Sequence, residues 1–346
     1  MRAARFHPPR TIRIEDLPRP EPAPGGVVLR VEACGLCGSD LAKFVHGTAR
    51  DGEVLGHEVA GIVERAAAGG GSPARFAPGD RVVVAHHAPC GRCHYCVHGN
   101  YSMCRAFKSS ALAPGGFAEF LVASEEHVAR TMFRVPDGLS LEDATFMEPL
   151  ACAIKAVPRL NLRPGDVVVL FGLGPMGLLF ARLLARRHAA RLIGVDPIAE
   201  RRALALPDLV AAFAPDDPAL AERVLAETAG RGADAAILLV GRGAVAAAAL
   251  PLVRDAGVVC LFAASPEESP VPLPLGVMYY RELVLYGSYS PDPDGFALAL
   301  DLIAAGAVPV ADLITERLPL DRTHEAFERA VRGEGMKFMI RPQPGD

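Results

Sequence analysis

No sign of charge dominates this sequence: 36 Lys and Arg stand against 40 Asp and Glu, a formal net charge of −4. A strongly basic face, the usual footprint of nucleic-acid binding, is therefore not expected. No apolar core follows the start Met1-Arg-Ala-Ala-Arg5, so no secretory leader is expected either. The main uncharged apolar stretch runs from Val167 to Ala181 and is broken by Gly172, Gly174, Pro175 and Gly177. That is too short to span a bilayer. There are no internal repeats, coiled-coil heptads or low-complexity tracts. What remains is ordinary globular composition, 51% hydrophobic and 22% charged, which excludes disorder. A chain of 346 residues predicts two domains of ordinary size. With no leader expected, eight cysteines read as metal ligands or buried thiols, in a cytoplasmic protein.

The texture of the chain changes twice. Up to about residue 150, short apolar runs such as Val27 to Val31 and Val82 to Val84 alternate with Pro and Gly clusters at Pro18 to Gly26, Gly69 to Pro73 and Pro78 to Asp80. Such punctuation predicts short antiparallel strands. After Glu148-Pro149 strands and helices alternate. The apolar runs at 167–171, 191–195, 235–240 and 257–262 are separated by helical stretches, which predicts an α/β, doubly wound parallel sheet. After about residue 287 the pattern is mixed again, with helices over 296–305 and 323–331 and a closing strand over 336–340.

Gly172-Leu-Gly174-Pro175-Met176-Gly177 follows one predicted strand and opens a helix. Asp196 ends the next strand, at the distance beyond Gly177 where a dinucleotide fingerprint carries its acid. In that context the glycines allow a tight turn and close approach of backbone to a pyrophosphate, and the helix N-terminus favours its charge. Asp196 would accept hydrogen bonds from ribose hydroxyls and repel a 2′-phosphate, favouring NAD over NADP. The competing reading is a plain strand–helix turn. Arg201 reads either as a partner of the adenosine side or as a solvated helix charge.

Cys90, Cys93, Cys96 and Cys104 are spaced C-x2-C-x2-C-x7-C. Four thiolates this close can enclose Zn²⁺ with no open position, a structural site. An iron–sulfur cluster is the competing reading. His94 and His98 read as surface residues of the same lobe. A second constellation is dispersed: Cys37-Gly-Ser39-Asp40, then Gly56-His57-Glu58, then Glu148-Pro149. Cysteine, histidine and carboxylates from separate segments can build a zinc site with one exchangeable position. Cys34, Cys152 and Cys260 read as buried apolar thiols.

Together these motifs, spread over essentially the whole chain, resemble the zinc-dependent medium-chain alcohol and polyol dehydrogenases. The His-Glu pair and the Cys-Gly-Ser-Asp string resemble the sorbitol/threonine dehydrogenase branch. The resemblance implies a GroES-like, β-rich catalytic domain over 1–152 with a structural zinc lobe at 86–106. It further implies a Rossmann NAD-binding domain over 153–287, a return segment over 288–346, and an active site in the cleft between the domains. By resemblance, Cys37, His57 and Glu58 match the catalytic zinc ligands, and Glu148 a further carboxylate acting directly or through water. The four lobe cysteines match the structural zinc ligands. The implied activity is hydride transfer between a secondary alcohol of polyol, sugar or cyclitol type and NAD, giving a ketone. Ser39 would take the hydroxyl proton. The alternatives are a threonine, amino-alcohol or amino-cyclitol substrate, or an NAD(H)-binding protein that has lost catalysis. The implied partners are a small alcohol or ketone and further copies of the chain, as homodimer or homotetramer, with no nucleic acid and no membrane. The Gly257 to Phe262 strand and the Val271 to Tyr280 segment are the candidate interface elements. Relatives often carry a relay His or a pocket Tyr five or six residues after the first ligand. Here those places hold Ala42 and Lys43, with His46 nearby. Gly287-Ser-Tyr289-Ser290 stands where polyol enzymes commonly place an arginine. Phe44, Phe107 and Tyr289 are candidate pocket walls.

Overall fold

In the computed structural model, which describes residues 1–69, 75–265 and 273–344, the apolar runs of the first part pair into a seven-stranded sheet. Along it lie Ile314–Pro319, Lys337–Arg341, Val27–Gly35, Glu58–Ala66, Arg81–Ala85 and Met132–Arg134, and Phe120–Ala123 pairs with Val27–Gly35. The pairs are antiparallel except that of Ile314–Pro319 with Lys337–Arg341. Alternation decides the buried face: Val27, Leu29 and Val31 point into one core with Val59, Val63, Val82 and Val84. Of the Gly69 to Pro73 cluster, residues 70–73 lie outside the described residues.

The core also orients the short helix Gly38–His46. Its Phe44 is fully buried and meets Phe327 of the amphipathic helix Thr323–Val331 at 5.0 Å, while Phe327 meets Phe117 edge-on at 5.8 Å. Burying a phenylalanine this way contributes about 1.5–3 kcal/mol. Phe44 is thus a core residue rather than a pocket wall. Its packing fixes the helix whose N-terminus carries Cys37. Phe107 is buried against the four-cysteine lobe, and Tyr289 is exposed.

The chain divides into two compact units, Met1–Ala151 with Pro291–Asp346, and Cys152–Ser290. The second unit holds a six-stranded, all-parallel sheet. Its order is Ala211–Phe213, Arg191–Val195, Val167–Phe171, Ala233–Leu238, Val253–Leu261, Val284–Gly287. Numbered in chain order this is 3-2-1-4-5-6, the doubly wound arrangement expected from the alternation of elements. All five residues of Val167–Phe171 are buried, as a strand covered on both faces requires. The order reverses beside this strand, and a ligand crevice forms outside strand ends at such a switch point.

Two expectations need correcting here. Val253–Leu261 is paired on both sides and mostly buried, so it cannot be an exposed interface strand. The sheet edge on that side is Val284–Gly287, and Val271-Pro272 lie outside the described residues. Cys152 is half-buried, unlike the fully buried Cys34 and Cys260.

Candidate metal centre and nucleotide site

Cys37 caps the N-terminus of Gly38–His46, and its own N–H donates to Asp40 Oδ2 at 3.2 Å. The other Asp40 oxygen, Oδ1, accepts the Gly56 N–H and lies 3.2 Å from His57 Nδ1. One buried carboxylate therefore ties the Cys37 turn to the Gly56-His57 segment. Burial alone would raise the Asp40 pKa, but the His57 ring and the two N–H groups hold it below the usual carboxylate value. An Nδ1–H donating to Asp40 leaves the lone pair of His57 on Nε2, the arrangement of a metal-binding histidine with an outer carboxylate. Ser39 Oγ lies 3.4 Å from both Cys37 Sγ and His57 Nε2.

Glu58 opens its strand directly after His57 and is 1% exposed. Lys337 Nζ donates to both its oxygens, at 2.8 and 2.7 Å, and to the Leu36 carbonyl at 3.2 Å. Burial pushes the Lys337 ammonium toward neutrality, yet Glu58 outweighs it and holds the pKa above the ordinary value. Gly35 is required beside this pair, because a Cβ there would collide with Glu58 Oε2.

Ligand atoms of Cys37, His57 and Glu58 all lie within 4.8 Å of one another. A thiolate, an imidazole and a carboxylate with one open position match catalytic zinc. Glu148, near the start of helix Met147–Ala156, is not in this group, although its charge reaches Lys337.

The four lobe thiols converge separately. Sulfur–sulfur distances are 3.6 Å for Cys93–Cys96, 3.6 Å for Cys90–Cys104 and 4.0 Å for Cys90–Cys96. A tetrahedron with Zn–S bonds of about 2.3 Å has edges of about 3.8 Å, so the donors fit zinc. Burial raises the Cys104 thiol, but the N–H groups of Cys90 and Phe107 overcome it and bring the pKa to about 6. His94 and His98 are exposed and take no part in the thiol group.

In the second unit Gly172 follows its strand at φ +107°, a conformation glycine tolerates. Pro175 opens the helix Pro175–His188 at a position where its missing N–H costs nothing, and Met176 follows it. A Cβ on Gly177 would strike the Gly172 carbonyl, so helix and turn approach only without one. Asp196 is buried, and its two oxygens accept the N–H groups of Leu173 and Ile198, each at 2.8 Å. It thus holds the glycine loop as well as standing at the end of its strand. Arg201 reaches the loop, with Nη1 3.7 Å from where a Cβ on Gly174 would stand. Asp40's bridging role and Lys337 escaped the sequence reading. Asp40 was visible three residues after Cys37, whereas no local signal marks Lys337.

Comparison with known proteins places the chain in a family. Residues 23–137 match the alcohol dehydrogenase GroES-like domain, and residues 162–305 match the zinc-binding dehydrogenase family. The chain is 33% identical to sorbitol dehydrogenase of Bacillus subtilis, over 99% of its own length and 97% of that protein. It is 30% identical to the probable D-xylulose reductase A of Aspergillus clavatus, over 95% and 93%. A protein from Sinorhizobium meliloti 1021, solved with NADP bound, superposes with a TM-score of 0.88 at 28% identity, covering 99% of both chains. The chain belongs to the zinc-dependent medium-chain alcohol and polyol dehydrogenases. It is an oxidoreductase whose donor sets and glycine loop fit zinc and a nicotinamide dinucleotide. Among the described residues no helix is long and apolar enough to cross a membrane.

Proposed function

We propose that this enzyme oxidises a secondary alcohol of the polyol, sugar or cyclitol type to a ketone, with NAD taking the hydride and one proton released. The observation that carries this reading is the convergence of Cys37, His57 and Glu58 within 4.8 Å, beside the Ser39 hydroxyl. Cys37, His57 and Glu58 would hold the catalytic zinc, Glu148 would act as a further carboxylate, and Cys90, Cys93, Cys96 and Cys104 would hold the structural zinc. Bound there, zinc supplies Lewis-acid polarisation of the substrate oxygen. Asp40 keeps the His57 ring in its metal-binding tautomer. Lys337 compensates the buried charge of Glu58. Ser39 Oγ receives the proton of the reacting hydroxyl.

His46 does not pass that proton on directly. It follows Ser39 on the same helix by about two turns, roughly 10 Å along the axis. Lys43 is one turn away, with its ammonium on Glu53 at 2.9 Å.

In the second unit Gly172, Gly174 and Gly177, with the helix N-terminus at Pro175 and Met176, would cradle the pyrophosphate. Asp196 and Arg201 would face the adenosine ribose. Asp196→Ala is expected to shrink the preference for NAD over NADP by about tenfold, read as the ratio of kcat/KM values. An unchanged ratio would remove the ribose role. Leu275, Tyr279 and Tyr280 are exposed just ahead of the edge strand Val284–Gly287, which supports a homodimer or homotetramer. That the described cysteines form no disulfide suits a cytoplasmic setting.

The test of the substrate class is a panel of polyols, cyclitols and amino alcohols with NAD, and of their ketones with NADH, followed at 340 nm. At least one polyol or cyclitol should give substrate-dependent NADH formation. Turnover confined to amino alcohols would move the reading to the threonine-like alternative.

A further inference from the structure

The end of one strand places a second histidine against the metal centre. Arg81–Ala85 runs antiparallel to Glu58–Ala66 with Ala85 opposite Glu58. Residue 86 therefore comes next to residue 57 across the ladder. The rings of His86 and His57 lie 6.1 Å apart, tilted at 59°. The main chain of His86 is pinned, because its carbonyl accepts from Nε2 of the buried His127 at 2.9 Å. The adjoining His87 is committed to packing. Its Nδ1 donates to the Ser110 carbonyl at 2.6 Å, and its ring meets Phe107 at 4.9 Å.

His86 makes no such bond. Nδ1 is sealed from solvent with no hydrogen-bond partner among the described residues, while the residue as a whole is half-buried. A buried N–H without an acceptor is rare, so the ring proton belongs on Nε2. The ring thus offers one donor, beside the imidazole expected to hold zinc. A site for a simple secondary alcohol needs only apolar walls around the reacting carbon. A polar group held there without a protein partner is matched by a substrate that carries another oxygen.

We propose that His86 is a specificity-determining residue whose Nε2–H binds a second hydroxyl, next to the reacting carbon, selecting vicinal diols and polyols over mono-alcohols. This rests on the alcohol oxidation proposed above and narrows its substrate class. His86 takes no part in proton removal, which stays with Ser39.

The test uses the zinc-loaded enzyme with NAD and two probes that differ by one hydroxyl, 2,3-butanediol and 2-butanol. Wild type should favour the diol in kcat/KM. His86→Phe should lower the diol value about tenfold or more while changing 2-butanol less than about twofold. His86→Gln, which keeps an N–H donor, should recover part of the loss. A binding readout runs alongside: the dissociation constant of 2,3-butanediol for the enzyme–NADH complex, followed by NADH emission. It should weaken several-fold in His86→Phe, with the affinity for NADH itself unchanged. The chain has no tryptophan to interfere with that signal. Equal losses for both alcohols, no preference in wild type, or unchanged diol binding in His86→Phe would each overturn the proposal. If wild type oxidises no alcohol at all, the parent reading has failed, visibly and before any variant is made, and this inference falls with it.

Discussion

Cys37→Ser will abolish NAD-linked turnover and leave both the fold and NADH binding in place. Serine replaces the thiol at nearly the same size, and the helix start keeps its Asp40 bond to the residue 37 N–H. The glycine loop and Asp196 belong to the other compact unit, so the nucleotide site is untouched. What goes is the softest donor of the proposed metal group, and a neutral hydroxyl is a poor substitute for thiolate. Lewis-acid polarisation is worth several kcal/mol of barrier, so a loss of about 4 kcal/mol lowers kcat by about a thousandfold. Steady-state assays at 340 nm and NADH titration separate the two effects. Turnover retained within about tenfold would show that Cys37 is not a ligand.

Lys337→Met will be among the most destabilising single changes in the chain. Lys337 and Glu58 are both buried, 4% and 1% exposed, with the ammonium on both carboxylate oxygens. In the zinc-free protein, where no metal shares the charge of Glu58, removing Lys337 leaves a buried carboxylate uncompensated, at a cost of about 3–5 kcal/mol. Methionine keeps most of the volume, so the loss is electrostatic rather than a cavity. The double variant Lys337→Met with Glu58→Gln removes both charges together and should recover much of that loss, a coupling read from a double-mutant cycle. Chemical-denaturation midpoints of the four proteins, each stripped of zinc, check it. A single variant within about 1 kcal/mol of wild type would mean that solvent or another cation already compensates Glu58.

What the sequence disclosed and what it hid divide along one physical line. The glycine loop, its strand and its helix are contiguous, so the turn chemistry at Gly172 to Gly177 was legible, and with it the doubly wound sheet. The three-residue strand Ala211–Phe213 was not, because three half-buried residues are too few to carry a pattern. Lys337 was invisible for another reason. It meets Glu58 across 279 residues, through the register that sets Met339 opposite Gly35 and Ile340 opposite Cys34. No spacing rule encodes that. His86 belongs to the same class, since only the pairing of Ala85 with Glu58 brings it beside His57. His46, close to Ser39 in sequence, is separated from it by two turns of helix. Phe44, a few positions from the motif, proved to be core because its helix face packs on Phe327.

Metal stoichiometry, taken together with turnover, tests the central idea most directly. Purified wild type should hold about two zinc ions per chain, and Cys37→Ser should hold about one and be inactive. Two ions retained in an inactive Cys37→Ser, or a wild type active with only one, would contradict a metal centre built on Cys37, His57 and Glu58.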